Sequence, residues 1–175
     1  MNSPPACTAS RATGCGAPAR EARDGVEGIG ERRFRLLHLS GHTVEDLCLF
    51  EERSGLLFPG ELVFLDRAAT TPDADLPRWR AALATLGGIG HGRLVPGHCP
   101  VESGRRGIDQ ALAWLEMVEG RIGPAYEEGL VITETMGLRL PDWAERIAVA
   151  RYAYARSGMH LLAQIEAERL PFLAS

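Results

Sequence analysis

The chain lacks the features that place a protein in a membrane or a secretion route. No apolar run approaches the roughly 20 residues that span a bilayer, and the N-terminus carries arginines and prolines without an apolar core. The expectation is therefore a protein with no membrane partner, cytoplasmic as written. Cysteine is sparse: Cys7, Cys15, Cys48 and Cys99 share no CxxC spacing, which argues against a disulfide framework. Cys48 sits in an apolar run and reads as a small buried hydrophobe, whereas Cys99 follows His98 and could face a site. Basic residues are not interleaved with aromatics, and a net charge of -4 with a pI near 5.7 gives no field to attract a polyanion, so nucleic acid is excluded as an expected partner. No internal repeat is present.

What is present suits one globular domain: 175 residues, 45% of them hydrophobic and 24% charged, are enough for one core and too few for two ordinary ones. Residues 1 to 33 are rich in Ala, Arg, Gly, Pro, Ser and Thr, have almost no large apolar side chain before Val26, and are expected to be disordered or non-native in register, leaving 34 to 175 as the folded domain. Strands are predicted at Phe34 to Leu39, Leu47 to Glu51, Leu56 to Phe58 and Arg93 to Val95. Leu76, Trp79, Leu83 and Leu86 recur at helical spacing, with Pro77 in the first turn and Gly87-Gly88 as a stop. A second helix is predicted from about Gly107 to Ile122, with Ala111, Trp114, Leu115 and Val118 on one face. The C-terminal third is expected to be helical, one helix running from Trp143 to Tyr154 after Pro141 and a last one from Met159 to Glu168. The fold class is α/β.

Three short segments place a metal-capable side chain beside a glycine at the end of a predicted strand: Ser40-Gly41-His42-Thr43, Phe58-Pro59-Gly60-Glu61 and Val95-Pro96-Gly97-His98. Ligands delivered from turns at strand ends are how α/β proteins assemble metal sites at the mouth of a sheet. Two neutral imidazoles and a carboxylate, with a coordination position left for water, are the groups that metal-assisted hydrolysis uses. The separations are too wide for one helix or hairpin to set, so convergence must come from the tertiary fold. An isolated turn histidine is ordinarily satisfied by backbone hydrogen bonds. Glu61 differs from an exposed turn carboxylate in preceding the apolar run Leu62-Val63-Phe64, where a charge needs a partner. His38 would lie about 13 Å from His42 along an extended strand and is not expected to join it. His91 is expected in a solvent-exposed loop, and His160 has no expected role in the site. The late aromatic residues read as core.

In order along the chain, His38-Leu39-Ser40-Gly41-His42-Thr43, Leu57-Phe58-Pro59-Gly60-Glu61-Leu62-Val63-Phe64 and Leu94-Val95-Pro96-Gly97-His98-Cys99-Pro100-Val101 resemble the later motifs of the metallo-β-lactamase superfamily, which includes the glyoxalase II-like hydrolases. Asp73-Ala74-Asp75-Leu76-Pro77-Arg78-Trp79 and the stretch from Arg151 to Leu161 resemble the quinoprotein relay system zinc metallohydrolases within it. The resemblance implies an α/β fold, the second half of an αββα sandwich with a helical C-terminal extension. It implies Zn2+, at two sites in the complete fold, with His42 as the third histidine of the first site, Glu61 in place of the family's bridging aspartate, and His98 as a histidine of the second. The implied activity is metal-activated hydrolysis of an ester, thioester or lactam in a small-molecule substrate, beside periplasmic quinoprotein systems.

Two substitutions depart from the family pattern: Glu for the bridging Asp, one methylene longer, and Cys99 for the Gly that usually follows the last histidine. A larger departure is that the family's HxHxDH motif occurs nowhere in the sequence. That absence supports an alternative expectation, a truncated non-catalytic remnant or a module that binds a partner, and leaves no catalytic acid or water-orienting aspartate to name. A sheet shaped to pack on a second sheet would expose an apolar face, so dimerisation or docking of a complementing chain through that face is expected.

Overall fold

A computed structural model describes residues 24–169. Among these, five strands form one sheet in the order β1 (Gly25–Ile29), β2 (Arg32–Leu39), β3 (Asp46–Glu51), β4 (Leu56–Gly60) and β5 (Arg93–Pro96). Neighbouring strands are antiparallel except β4 and β5, which run parallel because helix α1 (Leu76–Gly87) carries the chain across between them. The expected α/β class and mixed sheet are what the structure has.

Residues opposed in register share a face of the sheet, and the register divides this one cleanly. Leu37 opposes Cys48, and Phe50 opposes Leu57, which opposes Leu94. All five belong to the main core or pack against it. The helices cover that face. α1 contributes Leu76, Trp79, Leu83 and Leu86; its start is fixed by Asp75, whose Oδ1 accepts the Arg78 N–H at 2.9 Å, and by Pro77 in the first turn. α2 (Arg106–Glu127) buries the stripe Ile108, Ala111, Leu115, Val118 and Ile122, and extends five residues past its expected end, with Pro124 inside its last turn. The opposite face carries Leu36, Leu49 and Phe58 in one directly opposed row. Leu36 is buried although it lies outside the main core, and Leu47 on the same side is 44% exposed.

Two expectations need correction. Order begins before Phe34: β1 pairs with β2 through a hairpin whose Gly30 has φ 61, and Asp24 Oδ1 accepts the His38 N–H at 2.6 Å. β1 escaped notice because Val26 and Ile29 stay 47% and 63% exposed, so backbone pairing and not burial holds it; residues 1–23 lie outside the described part. The last two helices are also divided elsewhere. α3 (Ile132–Gly137) and a single turn α4 (Asp142–Glu145) precede one continuous helix, α5 (Ala150–Arg169). The break falls at residues 146–149 because Ala148 exchanges two backbone hydrogen bonds with the 66–68 segment, Ala148 N–H to Asp66 O and Ala68 N–H to Ala148 O, both 2.9 Å, with Val149 at φ 56. At Gly158, inside α5, a Cβ would meet the Met136 side chain, so the glycine lets α3 approach α5.

Candidate metal centre

The site lies where β2, β4 and β5 end. His42 stands in the loop after β2, and the buried Asp46 shapes that loop. Its Oδ2 accepts the backbone N–H groups of His42 and Thr43, both at 3.1 Å, and its Oδ1 accepts the Thr43 hydroxyl at 3.1 Å. Gly41 has φ 150, and a Cβ there would fall 2.2 Å from Trp79 Cα, so only glycine fits between this loop and α1. Glu61 follows Gly60, whose φ of 59 turns the chain out of β4; the Gly97 N–H donates to Gly60 O at 3.1 Å. That bond extends the parallel β4–β5 pairing past the strand ends and sets Glu61 beside His98.

The three predicted residues come together. His98 Nε2 donates to Glu61 Oε1 at 2.7 Å across 37 residues of sequence, and His42 Nδ1 lies 3.6 Å from Glu61 Oε2. The carboxylate thus stands between the two imidazoles. The His42 side chain is 14% exposed against 47% for Glu61 and 54% for His98, so the row runs from a dry end to a wet one. Phe64 lies under both rings, with centroids 5.8 Å from His42 and 5.8 Å from His98, the latter stacked at 24°. The Trp79 indole meets His42 edge-on at 5.1 Å and donates its Nε1–H to Leu62 O at 2.9 Å.

The other candidates fall elsewhere. Cys99 Sγ accepts the Leu65 N–H at 3.1 Å, which anchors the segment after Glu61. Cys48 is fully buried as expected, and its thiol is pushed up to about 12 by burial and then by the nearby Asp46 carboxylate, so it is inert as a thiolate ligand. His38 pairs in register with Leu47 and stays exposed. His91 is not the solvent-exposed loop residue expected: its two ring nitrogens bond to Ile89 O and Gly104 O, both at 2.9 Å, and it is half-buried. His160 Nε2 bonds to Ala74 O at 3.3 Å.

No protein-family model and no curated protein matches the chain. Solved structures do. A metallo-β-lactamase from Pontibacter korlensis is similar at 25% identity and a TM-score of 0.50 over 55% of this chain and 47% of that one. A beta-lactamase domain protein from Burkholderia ambifaria gives 20% identity and a TM-score of 0.57 over 85% of this chain and 48% of its own. A metallo-beta-lactamase family protein from Thermus thermophilus gives 15% and 0.55 over 83% and 49%. The chain has a partial metallo-β-lactamase fold. It spans about half the length of each of these structures.

The donors present suit zinc in kind and in part by arrangement. Ligand atoms about 2.0–2.1 Å from a tetrahedral zinc lie about 3.3 Å from one another, and the two His–Glu spacings of 2.7 and 3.6 Å straddle that value. His42 Nδ1 is buried and makes no hydrogen bond, a loose end that an ion would satisfy. As they stand, however, no three His, Cys, Asp or Glu side chains among the described residues enclose an ion, and the Glu61 carboxylate is engaged by His98. Sequence reasoning missed Asp46, Phe64 and Trp79. An aspartate four residues after a turn histidine is a recognisable loop-closing pattern, whereas the two aromatics look like any other core positions.

Proposed function

We propose that His42, Glu61 and His98 hold a zinc ion and that the chain serves a metallo-β-lactamase-fold hydrolase acting on an ester, thioester or lactam of a small-molecule substrate. The convergence of these three side chains from three strand ends carries the reading. Bound there, zinc would polarise a carbonyl and make its water a nucleophile near neutral pH. The protein's own part follows from exposure. Phe64 and Trp79 are buried and keep the His42 end dry, while Glu61 and His98 stand half-exposed where a substrate can reach them. Without the ion, Glu61 accepts the His98 Nε2–H in a charge-assisted hydrogen bond that orients the imidazole; ligation through Nε2 would require that proton to leave.

The resemblance of residues 73–79 and 151–161 to the quinoprotein relay branch supports a place beside periplasmic quinoprotein dehydrogenases for the whole protein. The two stretches touch each other through the His160–Ala74 contact. No described helix is long and apolar enough to cross a membrane.

A second reading, a non-catalytic module that docks another polypeptide through the open sheet face, is favoured by two observations: the ligand set does not enclose an ion, and the Leu36–Leu49–Phe58 row lies on the face the helices leave free. Assay of the zinc-supplemented chain against model thioesters and lactams separates the two. Zinc-dependent turnover lost in His98→Ala supports the hydrolase, whereas bound zinc without turnover, or neither, favours the docking module.

A further inference from the structure

Trp79 touches both segments that carry the inner ligand candidates, and each contact is specific. Its backbone N–H donates to Asp75 O at 2.8 Å, and the Asp75 N–H donates to Gly41 O at 2.9 Å, so the first turn of α1 is hydrogen-bonded to the loop bearing His42. Gly41 lies so close to Trp79 Cα that no side chain fits between them. The indole edge rests against the His42 ring. On the other side the buried Nε1–H donates to Leu62 O, the residue after Glu61, and Leu62 in turn donates its N–H to Pro59 O at 3.3 Å to close the turn that presents Glu61. Two residues farther, Phe64 underlies His42 and His98 together.

We propose that Trp79 is the positioning residue of the cluster: one fully buried indole sets the distance between His42 and Glu61, and Phe64 carries that setting to His98. Any buried indole needs an acceptor for its N–H; what distinguishes Trp79 is that its acceptor belongs to the residue after Glu61 while the same ring meets His42. Outer groups that orient ligands typically change metal affinity about 10- to 100-fold when removed.

The inference rests on the zinc reading only for its affinity readout. The test compares the full chain with Trp79→Phe, which keeps a ring but loses the N–H, and with Leu83→Val, a core change one turn farther along the same helix. Zinc affinity is measured by competition with a chromophoric chelator, and the imidazole signals of His42 and His98 by NMR of the metal-free protein. Trp79→Phe should melt cooperatively, bind zinc about ten-fold or more weakly and shift the His42 signals; Leu83→Val should lower the melting temperature and leave affinity and signals in place. Unchanged affinity and signals in Trp79→Phe overturn the proposal, as do equal changes in Leu83→Val. If the parent chain takes up no zinc, the zinc reading fails and the imidazole signals alone decide the role of Trp79.

Discussion

Glu51 shows how much one side chain can be made to do at the sheet's open face. It is almost fully buried, and Oε2 accepts both the N–H of Ser54, at 2.7 Å, and its hydroxyl. The Ser54 hydroxyl, with the Ser54 and Arg53 N–H groups and the Arg32 charge, holds the Glu51 carboxyl below its ordinary value of 4.5 against the opposing effect of burial. Because the folded form binds its proton less readily than the unfolded form, this bond stabilises the fold above the ordinary carboxylate range and is lost as pH falls below it. Ser54→Ala should therefore flatten the loss of stability on the acid side of about pH 4.5 while leaving the neutral-to-basic limb unchanged in shape, as read by urea titrations across pH. Legibility at this scale was uneven. His42, Glu61 and His98 could be read because each sits beside a glycine at a strand end, in an order that carries meaning. Asp46, Phe64 and Trp79 could not, because their importance lies in what they touch across the fold, and an aromatic residue at helical spacing looks the same whether it fills a core or braces a ligand.

Elements were legible where burial imprints a period. α1 and α2 show apolar stripes, α1 with a capping aspartate and a proline at its start, and strands β2 to β5 are apolar runs between turn residues. β1 left no such imprint, since its side chains stay largely exposed. The course of the C-terminal helices left no imprint for a different reason: their break is imposed by the two backbone bonds between Ala148 and the 66–68 segment, contacts made only in the tertiary fold. That break forces Val149 to φ 56, a conformation that costs a β-branched residue about 1–2 kcal/mol. Val149 is 42% exposed, so little packing is lost on removing its side chain. Val149→Gly relieves the strain but adds chain entropy worth about 0.5–1 kcal/mol to the unfolded state, so the net effect should be a gain of up to about 1 kcal/mol by chemical denaturation. A loss of stability would show that the Val149 side chain contributes packing that outweighs the strain.

At the scale of the whole molecule the sheet is asymmetric. One face is covered by α1 and α2, and the other carries Leu36, Leu49 and Phe58 side by side, Leu36 buried and the other two half-buried, with Leu47 44% exposed at the edge of the row. The chain spans about half of the solved structures it resembles, and packed β-sheets in general bury such faces against each other about 10 Å apart. The docking reading proposed above, self-association or capture of a complementing polypeptide through this face, is tested at this scale. Leu49→Lys combined with Phe58→Lys should shift sedimentation toward the monomer without loss of helical signal, because both positions lie outside the main core; a parent chain already monomeric at high concentration would remove that expectation.

The half-fold and the site meet in one question, whether three converging donors hold a metal. Metal-free protein titrated with Co2+ as a visible stand-in for zinc, followed by zinc displacement, answers it most directly. The account predicts one ion per chain, a ligand-field band that zinc abolishes, and loss of both in each of His42→Ala, Glu61→Gln and His98→Ala. No uptake by the parent chain, or full uptake by all three variants, would contradict it.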